Sequence, residues 1–132
     1  MNSDRAPTGS AKAFKGKGEP GRRVRQIEVD LGFLERRMRQ LVAETRGLRG
    51  RQFGLNFCRK GANGARRLRW RMTAGNDVVW ARDILPLVST FPVELRSWYS
   101  NVNTEAQLLN AEEQVLRFAR KTYRRLFERV RE

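Results

Sequence analysis

Residues 51–72 read RQFGLNFCRKGANGARRLRWRM, and the spacing of apolar side chains in this stretch decides the fold. Phe53, Leu55 and Phe57 alternate with Gln52, Gly54 and Asn56, and after the turn-forming run GANG at 61–64 the alternation returns as Leu68, Trp70 and Met72. A period of two belongs to strands with one face buried. The stretch therefore predicts a β-hairpin over 51–73, two strands joined by a loop of roughly eight residues. In the second strand Arg67, Arg69 and Arg71 occupy the alternate positions. When Leu68, Trp70 and Met72 face a core, these three arginines face out together, about 6.6 Å apart along the strand.

On either side of the hairpin the period changes. Val24, Ile27, Leu31, Leu34, Met38, Leu41 and Leu48 recur at spacings of three and four, broken only at Thr45, which predicts a helix over 22–48 ending near the glycines at 47 and 50. Beyond the hairpin, GND at 75–77 marks a turn, and Asp77 is placed to cap a short helix over 77–88 that runs through Val79, Trp80 and Ile84 before Pro86 interrupts it. Thr90 and Pro92 then open a long helix over 92–131. Its apolar stripe is Leu95, Tyr99, Val102, Ala106, Leu109, Leu116, Tyr123, Phe127 and Val130, with Glu113 and Arg120 as polar gaps. One helix, or two with a break near 100–103, fits this pattern. The expected class is α+β: two long helices packed antiparallel, a β-hairpin inserted between them, and a short helix. Residues 1–21, rich in glycine, proline and basic side chains, read as a disordered basic arm, and 22–132 as a single domain.

Composition narrows the function. The 132 residues hold 28 Lys and Arg against 14 Asp and Glu, a formal charge of +14, with no histidine and a single cysteine, Cys58. An intrachain disulfide and the usual zinc sets are excluded, and no metal or other cofactor is expected. No apolar run approaches the ~18 residues of a membrane span, and the amino terminus lacks the apolar core of a signal peptide. A cytoplasmic protein without a membrane partner is the expectation.

The charge is concentrated. Between Glu44 and Asp77 stand nine basic residues and no acid, and a second basic group closes the last helix. Surface strands use charge to avoid sticking to one another, but that purpose is served by mixed signs. An unrelieved positive run repels itself, and a polyanion relieves it. Guanidinium groups donate paired hydrogen bonds to phosphate. The candidate nucleic-acid contacts are Arg51, Arg59, Lys60, Arg66, Arg67, Arg69 and Arg71 on the hairpin, and Arg117, Arg120, Lys121, Arg124 and Arg125 on the last helix. DNA is favoured over RNA as the partner. The aromatic residues Trp70, Phe53 and Phe57 read as core rather than as base-stacking platforms, because they sit at period two beside leucines. The rival reading makes the stripes on the long helices an interface for a second copy or an acidic partner protein.

Catalysis finds little material. Without histidine a general base would have to be a carboxylate, and the acids show no spaced pair. Cys58, beside Arg59 and Lys60, would be nucleophilic only if exposed, and a strand-end cysteine is more simply packing. GANG lacks the lysine and threonine of a phosphate-binding loop. No enzyme is expected.

The segments LRWRM at 68–72, Trp80, ELRSWY at 94–99 and LLNAEEQVLRFA at 108–119 resemble a family of small basic bacterial proteins encoded on integrative and conjugative elements and plasmids, some labelled regulators of the element's integrase. The likeness spans roughly residues 24–127. It implies a DNA-binding accessory or regulatory protein of a mobile genetic element, and it assigns no binding or catalytic residue.

Overall fold

A computed structural model describes residues 18–60 and 64–131. The elements follow in the order α1 (Gly18–Arg46), β1 (Phe53–Lys60), β2 (Ala65–Met72), β3 (Asp77–Val78), a single π turn (Trp80–Ile84), α2 (Leu85–Val88) and α3 (Val93–Arg131). The class is α+β, with the hairpin between the two long helices in chain order. Two compact units divide the chain. One takes residues up to Gly32 together with those from Val115, and the other takes Phe33–Gln114.

In the central unit the strands form an antiparallel sheet in the order β1-β2-β3. Phe53 pairs with Met72, Leu55 with Trp70 and Phe57 with Leu68, so the apolar members of both strands share a face. That face meets Met38, Leu41 and Val42 of α1, Ile84 and Val88, and Tyr99, Val102, Ala106 and Leu109 of α3. Phe53 is the hub. Its ring lies 5.0 Å from Tyr99, edge-on to Trp70 at 6.0 Å and stacked on Phe91 at 6.3 Å, separations at which aromatic pairs attract beyond their area burial.

Three polar side chains tie the sheet to the helices. Thr45, the polar gap in the α1 stripe, is fully buried, donates its hydroxyl to the Val42 carbonyl and accepts the Leu55 N–H at 3.0 Å. Asn110 accepts the Leu68 N–H at 2.8 Å and donates to the Leu68 carbonyl at 3.0 Å, so its amide stands in for the missing neighbour strand. Asn103 accepts the Trp70 indole N–H at 2.9 Å. Asn103 lies in α3, which is unbroken across residues 100–103.

Arg37 of α1 and Glu105 of α3 join these helices inside the central unit by a paired hydrogen bond, one arm of it 2.7 Å long. The Arg37 guanidinium holds the Glu105 carboxyl below its ordinary value of 4.5, and burial opposes it. A carboxyl depressed on folding contributes stability that is present above its unfolded pKa and lost as pH falls through the folded one. Stability should therefore decline below about pH 4.5, and Glu105→Gln should flatten that decline in urea titrations at acid pH. Both side chains are more than a third exposed, so screening holds the effect to about 1 kcal/mol or less.

The other unit pairs the start of α1 with the end of α3. A Cβ on Gly21 would stand 3.2 Å from the Phe127 ring. Glu28 receives Arg124 at 2.7 Å and faces Arg120 at 3.9 Å. Within this unit position 21 meets 127 while 28 meets 120 and 124, so the two helix ends run antiparallel. Ile27 and Leu31 are buried here.

Several boundaries differ from the sequence expectation, each for a local reason. The first helix begins at Gly18 rather than at 22. Glu19 in its first turn pairs with Arg22 and Arg23 and complements the helix dipole, while Pro20 occupies the turn that needs no N–H. Residues 18–21 are thus helical, and the remainder of the expected arm lies outside the described residues. The hairpin connection is the four residues 61–64 rather than roughly eight, because backbone pairing runs past the last apolar pair through Arg59↔Arg66 and Lys60↔Ala65. Asp77 caps no helix: it pairs with Arg71 in β3, and the Val79 N–H goes instead to Asp83 at 2.8 Å. The expected helix over 77–88 is β3, the π turn and the short α2, with Pro86 in the first turn of α2 rather than at its end.

Candidate nucleic-acid interface

The register that sends Leu68 and Trp70 into the core sends Arg67, Arg69 and Arg71 to the opposite face of the hairpin, across from Cys58, Asn56 and Gly54. Arg67 and Arg69 are exposed and Arg71 is half-buried. Arg67 makes no hydrogen bond or ion pair among the described residues. Arg69 donates from Nε to the Cys58 Sγ at 2.9 Å and meets Asp77 at 3.1 Å. Arg71 donates from Nε to the Gly75 carbonyl at 3.0 Å and meets the same carboxylate at 3.2 Å. Asp77 is therefore shared by two guanidiniums and fixes their spacing while leaving the row cationic.

Two further arginines close on this face. Arg46, at the end of α1, donates to the Asn56 side-chain carbonyl at 2.9 Å, and Arg51 donates to the Arg46 backbone carbonyl at 3.0 Å. Together with Arg71 they line a cleft of about 350 Å³ over Gly54 and Asn56. Gly54 lets the end of α1 carrying Arg46 lie this close to β1, since a Cβ there would stand 3.3 Å from the Thr45 hydroxyl oxygen. Arg46 was absent from the sequence-derived set. It belongs to α1, and only the packing of that helix end on β1 reveals it.

Not every expected contact joins the row. Arg66 lies on the core-facing alternate of β2 and meets Glu35 of α1 at 2.6 Å, as an ion pair without hydrogen-bond alignment. Burial pushes the Glu35 carboxyl up, but Arg39 and Arg66 outweigh it and hold the group below the usual carboxylate range. Arg59 is exposed at the end of β1, and the Lys60 side chain lies outside the described residues. Arg117, Arg120, Lys121, Arg124 and Arg125 belong to the other unit. There Arg117 and Arg120 are half-buried, Arg124 is held by Glu28, and Lys121 and Arg125 are exposed.

Cys58 is a half-buried free thiol whose sulfur accepts from Arg69. Among the described residues no group of three or more metal-ligating side chains forms, and no helix is long and apolar enough to cross a membrane. What the geometry defines is an α+β fold presenting a cationic sheet face. Comparison with protein-family models, curated proteins and solved structures finds no match to this chain.

Proposed function

We propose that the protein binds nucleic acid, DNA in preference to RNA, and grips phosphates through the outer face of its hairpin. The observation that carries this reading is the single face on which Arg46, Arg51, Arg67, Arg69 and Arg71 gather against one carboxylate, Asp77. A solvated strand would be served by alternating signs, whereas arginines at alternate positions of one strand, where the backbone repeats about every 6.6 Å, suit a repeating anion. The family resemblance extends the proposal to an accessory or regulatory role on a mobile genetic element. Cytoplasmic residence is part of the same reading.

If four or so of these arginines each release a counterion from duplex DNA, affinity falls about 100-fold between about 50 and about 200 mM salt. An electrophoretic shift series with duplex DNA, single strands and RNA at both salts measures this. Affinity that ignores salt on all three would overturn the reading.

A second reading, in which the protein docks an acidic helical partner, draws support from Val115 and Phe118 on α3. They are 66% and 73% exposed beside Arg125 and Lys121. Capture of an acidic amphipathic peptide with no retention of nucleic acid would favour it.

A further inference from the structure

Along the open edge of β2 lies a second cleft, of about 420 Å³, lined by Arg67 and Arg69 at one side and by Asp77, Trp80, Gln107 and Asn110 around it. Three polar side chains that border this cleft are unengaged within the described part of the protein. The Arg67 guanidinium, the Trp80 indole N–H and the Gln107 amide have no hydrogen-bond partner among the described residues, although the neighbouring Trp70 N–H is bonded to Asn103 and the Asn110 amide to Leu68. The Trp80 ring rests on Trp70 at 5.3 Å, which fixes it without burying it, because Trp80 opens the π turn at the lip of the cleft. Single π turns are frequent at functional sites.

An aromatic face, an amide able both to donate and to accept, and an unengaged guanidinium are what one nucleotide requires: stacking for the base, hydrogen bonds for its edge, a cation for its phosphate. The volume lies in the range of small-ligand clefts. Asp77 sharpens the arrangement. Its carboxylate, shared by Arg69 and Arg71, repels phosphate from the β3 end of the cleft and leaves Arg67 as the cation for it. The geometry points to a site for a single unstacked nucleotide in this cleft, with the base against Trp80 and Gln107 and its phosphate at Arg67. This rests on the nucleic-acid reading above and deepens it: the arginine face holds backbone, and the cleft selects strands whose bases are free to leave the stack.

The test compares an oligothymidylate with an abasic oligomer of equal length and charge, by fluorescence anisotropy at low salt. The wild-type protein should bind the base-bearing oligomer about tenfold tighter, the scale of one base–aromatic stack. Trp80→Leu should remove that preference and Trp80→Phe should keep most of it. Gln107→Ala, at an exposed position that bears on no core, should reduce the preference roughly threefold and so serves even if Trp80→Leu unfolds. Arg67→Ala should weaken both oligomers together. Equal wild-type affinity for the two oligomers, or a preference untouched by Trp80→Leu and Gln107→Ala, would overturn the cleft and leave the backbone reading standing. Failure to bind either oligomer while duplex DNA is still bound in the salt series above would likewise overturn the cleft, whereas loss of salt-dependent binding to duplex, single strands and RNA alike would overturn the nucleic-acid reading itself. Displacement of the oligothymidylate by thymidine monophosphate at equal concentration would instead reassign the cleft to a free nucleotide.

Discussion

Phe53→Ala is expected to destabilise the protein by about 3–5 kcal/mol, the range for removing a fully buried aromatic side chain. Phe53 is 1% exposed and contacts three other rings at once, and its neighbours come from β2, from the segment before α3 and from α3 itself. The cavity left by its removal cannot be filled by one neighbour shifting, because each is held elsewhere: Trp70 by Asn103, and Tyr99 by its place in a continuous helix. Against a total stability of 5–15 kcal/mol for ordinary domains, the urea midpoint should fall steeply. A conservative Phe53→Leu should recover much of the loss. A change of less than about 1 kcal/mol for Phe53→Ala would mean that the hub is not where the core is anchored.

The second large effect concerns binding. Replacing Arg67, Arg69 and Arg71 together by alanine is expected to weaken nucleic-acid binding about 100-fold at low salt, since each charged hydrogen bond to phosphate contributes on the order of 1–3 kcal/mol before competing terms. The triple variant also frees Asp77 from both its partners, which places an uncompensated carboxylate on the face and adds to the loss. Two controls separate charge from folding. Arg67→Ala alone removes a side chain that holds nothing inside the protein. Arg66→Ala removes one that points at Glu35 and should lower stability with little effect on binding.

Much of this arrangement was legible in the sequence because it depends on period alone. The alternation at 68–72 placed Leu68 and Trp70 in the core and the three arginines opposite them, and the spacings of three and four in both long helices marked Met38, Leu41, Tyr99, Val102, Ala106 and Leu109, all buried. What escaped was whatever depends on a partner distant in the chain. Thr45 reads as a flaw in an apolar stripe until β1 brings the Leu55 N–H to it. Asp77 reads as a helix cap until the hairpin brings Arg69 and Arg71 to its carboxylate. Arg66 reads as one more member of a basic run, yet the parity that sends Arg67 out sends Arg66 toward Glu35. The strand ends were underestimated because pairing between backbones continues where apolar alternation has stopped. Arg46 stood in the acid-free basic run but had no local signal for its place on this face, and the cleft beside Trp80 had none at all.

The central claim is that the hairpin face neutralises phosphates by direct contact, and the salt dependence of binding reports the number of such contacts. Measuring the slope of log affinity against log salt for duplex DNA with the wild-type protein and the Arg67, Arg69, Arg71 triple alanine variant decides it. The account predicts that the slope becomes shallower by about three. An identical slope for the two proteins would place the phosphate contacts somewhere other than this face.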